Sequence, residues 1–210
     1  MKKSIRVIFI ILSILIGLYP FIYFFVDRKF GLLSSKSNEL LADSLWNIAF
    51  YSHIALGGIA LLIGWVQFSK RIRSNKLGLH KFLGKVYIIS ALISGITGIY
   101  VAFFATGGII ASLGFIALGI IWVYTTSKAY LNIINGKIHK HQILMYYSQA
   151  ACFAAVTLRI WLPILSASFG DFIIAYRIVA WLCWVPNLIV AHYLVSKIKL
   201  DKTTSTVIKN

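Results

Sequence analysis

Charged residues are spaced so that long stretches of this chain carry none, and those stretches are apolar. Residues 7–26, 44–69 and 86–127 contain no Asp, Glu, Lys or Arg. A helix crosses a hydrocarbon layer of ~30 Å with about 20 apolar residues, at ~1.5 Å of rise per residue. The first two stretches each fit one crossing. The third would make about 63 Å of straight helix, so it predicts two crossings, with Thr106-Gly107-Gly108 at the turn between them. Beyond Lys140, residues 141–165 and 172–196 each hold a single Arg, and Ser166 to Asp171 separates them. The pattern predicts an all-α, polytopic membrane helical bundle with six transmembrane helices, at about 5–26, 46–68, 80–104, 109–131, 141–165 and 172–196. Residues 1–210 then form a single integral membrane domain ending in a basic cytoplasmic tail, 198–210, beside an anionic inner leaflet. The loop 27–45 alone has room for structure of its own, and it is too small to be a domain.

Composition excludes the soluble alternatives. Hydrophobic types make up 60% and charged types 12%, against ~45–50% and ~25% in soluble domains. A formal charge of +16 raises the question of nucleic acid, but the basic residues flank the apolar runs and share no one surface, so no nucleic-acid partner is expected. Their bias sets the orientation. Sixteen lie at the N-terminus, in 70–85, in 128–140 and after 196, while Arg28, Lys29 and Lys36 alone lie on the other side. The positive-inside rule therefore puts both termini in the cytoplasm. Lys2-Lys3 before an apolar run could begin a secretory signal, but the run is too long and no small-x-small cleavage site follows Tyr19-Pro20.

Ionisable side chains inside a span cost about 2.5–3.5 kcal/mol each at mid-membrane, so the few present are the candidate functional residues. In span three, His80, Gly84, Tyr87, Ala91, Gly95, Gly98 and Ala102 share one face. In span five the shared face carries His141, Met145, Ser148, Cys152, Ala155 and Arg159, and in span two it carries His53, Gly57, Ala60 and Gly64. Small residues along such stripes let another helix, or a flat ring, approach closely. Helix-hairpins two–three and four–five look like a weak repeat about the membrane normal, which would bring His80 opposite His139 or His141.

Two layers follow. The inner one holds His80, His139, His141 and His192; the outer one holds His53, Arg159 and Arg177, with Tyr100. From the helix rise, His53 lies about 6 Å and Arg159 about 8 Å outside mid-membrane. Asp171 is the acid nearest in sequence to neutralise either Arg. Plain alternatives stand beside each: inner histidines among lipid headgroups, snorkelling arginines, a His53 bonded to a neighbouring helix. Cys152 and Cys183 show no Cys-x-x-Cys spacing and are expected to pack as small residues.

Histidines on facing helices can ligate haem b iron from both sides, and His80 with His141 fits that need best, with Lys81, Lys85 and Lys140 for the propionates. A second, outer haem lacks its ligand, because the repeat puts Ser112 or Gly114 where a partner for His53 is required. The outer layer instead suits a quinone or small anionic ligand, with His53 exchanging a proton and Arg159 holding an oxygen.

These residues carry a resemblance. His53 through Gly64, the block Leu79-His80-Lys81-Phe82-Leu83-Gly84-Lys85-Val86-Tyr87, the Gly107-Gly108 turn with Gly114-Phe115, His141 with Met145, and Leu158-Arg159-Ile160-Trp161-Leu162-Pro163 resemble a family of bacterial predicted membrane proteins, domain of unknown function 2306, over about 50–195. The resemblance implies Arg and Trp shortly after the fifth-span His, where this chain has Gln142 and Leu144, which weakens an Arg-assisted role at His141. In architecture alone the four-helix core is similar to six-helix di-haem cytochrome b reductases.

Three functions fit: a redox protein holding one haem b or a quinone; a carrier or channel for a small anionic or amphiphilic solute using Arg159 and Arg177; and a non-catalytic partner subunit docking through its small-residue stripes. The chain has no P-loop, His-Glu-x-x-His or Gly-x-Ser-x-Gly motif, which argues against hydrolase and ATP-driven pump chemistry.

Overall fold

A chain surrounded by hydrocarbon must satisfy its backbone N–H and C=O groups within itself, so each apolar stretch folds as helix. The computed structural model describes residues 3–26, 29 and 31–207, and among them there is no strand. Lys2, Asp27, Arg28 and Lys209, used above to bound the first span or count charge, lie outside the described residues, as do 208–210 at the end of the tail.

α1 (Lys3–Leu18) passes into a 3₁₀ turn, Tyr19–Phe24. Pro20, near the start of that turn, has no N–H for the carbonyl four residues back, so the first span ends earlier than residue 26. The 27–45 loop carries a second 3₁₀ turn, Gly31–Ser35, and the short α2 (Asn38–Ala42). α3 (Ser44–Gly64) is started by Asp43, whose Oδ1 accepts from Trp46 N–H at 2.6 Å. The basic segment holds α4 (Lys70–Asn75), followed by α5 (Leu77–Ala102) and α6 (Ile109–Ile134). Gly108, with φ +69°, makes the turn between the last two.

Spans five and six each contain a break. α7 (Ile138–Cys152) and α8 (Ala154–Phe169) meet at Phe153, and α9 (Phe172–Leu182) and α10 (Val185–Val207) meet at Cys183-Trp184. Pro186 cannot donate to the Leu182 carbonyl, which explains the second break. The two breaks are stitched to each other: Thr157 Oγ1 donates to Cys183 O, and the Asn187 amide donates to Cys183 O at 2.9 Å and to Ala150 O at 3.3 Å. The last helix continues through Val207, into the region read from sequence as a tail; its side chains from Lys199 on lie outside the described residues.

Six helical spans are long and apolar enough to cross a membrane: Lys3–Tyr23, Ser44–Phe68, Leu77–Ala102, Ile109–Ile134, Ile138–Phe169 and Phe172–Ile198. α5 lies between α3 and α6, α6 also packs on α7, α8 packs on α9, and α1 lies against α3. Large apolar side chains such as Ile11, Leu15, Ile48, Ile89, Ile96 and Ile120 point outward, while the interior is rich in small and hydroxyl residues: Ala60, Ala91, Ser94, Ala111, Thr126 and Ser148. That inside-out distribution suits lipid on the outside and close helix approach within. Tyr87 Oη and Ser148 Oγ are 2.8 Å apart and Thr126 Oγ1 and Ser148 Oγ 2.7 Å apart, so α5, α6 and α7 are tied by hydroxyls fully screened from solvent.

α1 and α3 approach closely at a glycine pair, where a Cβ on Gly58 would lie 2.6 Å from Gly17 O. Gly58→Ala is therefore expected to push the two helices apart and lower stability by about 1–3 kcal/mol, read as a lower thermal midpoint in detergent. Gly78→Ala, with open space around it, should leave the midpoint unchanged or slightly higher.

Candidate functional site

The three small-residue stripes converge. The stripe ends on α3, α5 and α7–α8 surround an internal cavity of about 220 Å³ at the end of the bundle that holds the α5–α6 turn, the end that the charge bias assigns to the outside. α3 contributes Trp46, Phe50, His53, Gly57 and Leu61; α5 contributes Ser94, Gly95, Gly98, Val101 and Ala102; the fifth span contributes Cys152, Ala155, Leu158 and Arg159. Leu118 and Trp122 of α6, Tyr176 of α9, Tyr23 after α1, and Leu33 and Lys36 of the 27–45 loop complete it. Its walls are mostly apolar, with the polar groups few.

His53 is fixed in one tautomer. Its Nδ1 lies 2.8 Å from Ser94 O, and a carbonyl only accepts, so Nδ1 carries the proton and donates. Ser94 Oγ donates in turn to His53 O at 2.8 Å. Gly98 makes the ring's place possible, since a Cβ there would come within 2.6 Å of Nδ1. In the neutral imidazole this leaves Nε2 as an acceptor, on a side chain that lines the cavity.

Arg159 shares that cavity. One guanidinium N–H donates to Ala155 O at 2.9 Å, and the group lies over the Tyr19 ring, 4.4 Å from its centroid. Pro163, four residues on, has no N–H to offer the Arg159 carbonyl, so the helix is loosened at this residue. Among the described residues no carboxylate pairs with the guanidinium. Asp171, the acid nearest in sequence, instead caps α9, its Oδ1 accepting from Ile173 N–H at 2.7 Å and Ile174 N–H at 3.1 Å. The other outer cation is not part of the site: Arg177 is exposed on the bundle surface and donates through Nε to Gly107 O at 2.8 Å, holding the α5–α6 turn. Tyr100 packs edge-on against Phe104.

Among the lining residues that sequence reasoning missed are two hydrogen-bond donors, Lys36 and Trp46. Lys36 reaches in from the loop, donating to Phe104 O and, at 2.9 Å, to Thr106 Oγ1. Burial pushes the pKa of this lysine down to about 8. Trp46 is 1% exposed, lines the cavity, and its indole N–H has no hydrogen-bond partner among the described residues. A signal for Lys36 was present: it is one of three basic residues on the side that the charge bias otherwise avoids.

The inner histidines form a separate cluster, and neither His80 nor His141 lines the cavity. The two are near enough for their charges to interact. His141 Nδ1 donates to Ala129 O at 2.9 Å. The Gln67 carboxamide, in the orientation that satisfies both its ends, donates to His80 Nδ1 at 2.9 Å and accepts from Gly84 N–H at 3.2 Å. In that orientation neutral His80 carries its proton on Nε2, whereas His141, donating through Nδ1, has Nε2 as its acceptor. Two turns further into the bundle, the Tyr87–Ser148–Thr126 bridge joins α5, α6 and α7. The site residues named from sequence therefore fall in two places, His80 and His141 in the inner cluster and His53 and Arg159 at the outer cavity. His139 is half-buried at the start of α7, and His192 is exposed, with Tyr147 Oη 3.0 Å from its Nδ1. Among the described residues no group of three or more His, Cys, Asp or Glu is placed to hold a metal ion. Cys152 and Cys183 are buried free thiols.

Residues 50–195 match the family described as "Predicted membrane protein (DUF2306)", and the chain belongs to that family. The match takes in His53, His80, His141 and Arg159 together. No curated protein and no solved structure matches the chain.

With His80 Nδ1 accepting from Gln67 and its proton on Nε2, protein purified from haem-supplemented cells is expected to show no Soret band that moves on adding dithionite. A band lost in both His80→Ala and His141→Ala would overturn this assignment.

Proposed function

We propose that this chain is a multi-pass protein of the bacterial plasma membrane that binds a small amphiphile with an anionic head in the outer-half cavity, as the binding step of a carrier. One observation carries the reading: Arg159 lines an apolar, acid-free cavity without a carboxylate partner. A guanidinium at membrane depth costs a few kcal/mol. One backbone hydrogen bond and a ring contact, worth about 0.5–2 kcal/mol, offset part of that. A carboxylate or phosphate oxygen would offset the rest, since four of the five N–H donors are left for a planar, two-point contact.

The walls suit the remainder of such a ligand. Trp46, Phe50, Leu61, Val101 and Leu118 offer an apolar lining of the kind an acyl chain or flat ring takes. The volume is below the ~300–1,000 Å³ of pockets that enclose drug-sized ligands, so the site suits the head and the first part of a tail. The positive-inside orientation would put this site in the outer half of the bilayer, within reach of the outer leaflet.

A second reading rests on His53. With Nδ1–H anchored on Ser94 O, Nε2 is free to accept a proton from a quinol hydroxyl while Arg159 holds the other ring oxygen. A quinone site therefore uses both residues, with His53 as the proton acceptor.

The polyene fatty acid cis-parinaric acid, whose fluorescence rises in apolar sites, is expected to bind the detergent-purified protein saturably. Arg159→Gln should weaken binding at least tenfold, about 1.4 kcal/mol; Arg159→Lys should fall between, and Arg177→Gln should match wild type. Binding unaffected by Arg159→Gln would remove the anionic-head reading. If a short-chain ubiquinone displaces the probe from wild type but not from His53→Ala, the quinone reading takes its place.

A further inference from the structure

We infer that Lys36 is the second cation of the ligand-head site and that the loop segment carrying it closes the outer mouth of the cavity; this rests on the anionic-head reading above. The sequence places residues 27–45 outside the membrane, yet the structure folds part of that loop back into the bundle. Leu33 and Leu41 are buried against Trp46 and Phe50, and Leu32, Leu33 and Lys36 line the same cavity as Arg159. The segment is fastened to the α5–α6 turn at one place: Ser35 Oγ is 2.8 Å from Thr106 Oγ1, and Lys36 Nζ donates to Thr106 Oγ1 and Phe104 O.

All of the lysine's acceptors there are neutral. The acids of the same segment are engaged elsewhere: Asp43 caps α3, and Glu39 bonds its own backbone and Ser37 on the exposed side of α2. Two cations from different elements thus line one volume that no carboxylate lines among the described residues. The buried indole N–H of Trp46 is an independent sign, a donor on that lining with no acceptor among the described residues. Buried donors in folded proteins nearly always have partners. A head with two or three acceptor oxygens would complete Arg159, Lys36 and Trp46 together.

The position of Lys36 makes it the movable half of the clamp. Arg159 is part of a membrane-spanning helix, whereas Lys36 is held by a few contacts to one turn. An anion entering beside it takes the third ammonium donor while the contacts to Phe104 O and Thr106 Oγ1 remain, and the segment is held closed over the bound head. Charge on Lys36 is lost as pH rises through about 8, so affinity for an anion falls over the same range. The other titratable groups lining the site are His53 of α3, Tyr23 after α1, Cys152 and Arg159 of the fifth span and Tyr176 of α9, and the profile of Lys36→Met separates the lysine's contribution from theirs.

The test uses the full chain in detergent with cis-parinaric acid, measured from about pH 7 to about pH 9. Lys36→Met is expected to weaken binding at about pH 7 roughly fivefold or more and to flatten the fall in affinity seen in wild type; Lys36→Arg should restore the affinity and also remain flat. In a Cys183→Ser background, Cys152 on the cavity wall reports closure: Thr106→Val should speed its reaction with a membrane-impermeant maleimide, and the fatty acid should slow it. If wild type binds and Lys36→Met shows the same affinity and the same pH profile, the inference is wrong while the Arg159 site stands. If wild type does not bind the probe, the Arg159 site fails and this inference with it. A Cys152 reaction rate indifferent to both Thr106→Val and ligand would sink the closing segment alone.

Discussion

Inside a bilayer, burying an apolar side chain gains almost nothing, because lipid tails are as apolar as the protein interior. Everything else in this bundle depends on that constraint. Its helices are held by close backbone approach and by hydrogen bonds that have no water to compete with. The Gly17–Gly58 contact, the Tyr87–Ser148–Thr126 bridge and the Thr157–Asn187–Cys183 stitch are the resulting fasteners. Two of these three join spans through hydroxyls or amides, and the hydroxyl bridge sits where α5, α6 and α7 meet. Toward the α5–α6 turn the same helices present glycines and alanines instead, with no hydroxyl bridge closing the space. There the α3–α5 contact of His53 with Ser94 lines the cavity, and small residues leave its space open.

Electrostatics then separates the two ends of the interior. Only five acids are present in the chain. Asp43 and Asp171 are consumed as helix N-caps, where a carboxylate satisfies backbone N–H groups that a membrane helix must not leave bare. Glu39 faces solvent. No described carboxylate is left over for the interior, so a cation placed there must meet neutral acceptors or a ligand. At the inner end, His80 and His141 each meet a neutral partner at Nδ1, the Gln67 carboxamide and the Ala129 carbonyl. At the outer end Arg159 and Lys36 meet backbone carbonyls and one hydroxyl, a weaker arrangement than an ion pair.

How much of this was legible in the sequence follows from the physics of each feature. Crossings are written in the spacing of charges, and the six spans lie close to where that spacing puts them. Stripes are written in helical periodicity, and the faces drawn for spans two, three and five do turn inward: Ala60, Tyr87, Ala91, Ser148 and Cys152 are all buried. That His53 and Arg159 share one layer followed from counting rise per residue along two helices, and both line one cavity. What could not be read was any feature that depends on a loop's path or a side chain's reach. Arg177 lies at the right depth but on the wrong face, and bonds a turn seventy residues earlier in the chain. Lys36 lies in a loop whose folding inward depends on Leu33 and Leu41 finding Trp46 and Phe50, a contact with no periodicity to announce it. The inner pair was drawn together by the weak repeat, and the two residues do come near one another; the Gln67 carboxamide that fixes the tautomer of one of them belongs to a different span and carried no signal.

The breaks in spans five and six connect the outer site to the rest of the fold. A straight helix fixes every side chain on it to one rotation, so a residue facing the interior at the inner end need not face it five turns later if the helix tilts. Phe153 interrupts span five between Cys152 and Ala155, two residues that both line the cavity, and Pro163 removes a further backbone donor above Arg159. The interruption is held by contacts from two other helices: Phe9 of α1 stacks on Phe153 at 4.8 Å, and Asn187 of α10 donates to Ala150 O beneath it. The direction in which Arg159 points is therefore set jointly by the first, fifth and sixth spans. That coupling makes the guanidinium a group positioned by the whole bundle, which is what distinguishes it physically from Arg177, a surface side chain tied to one turn.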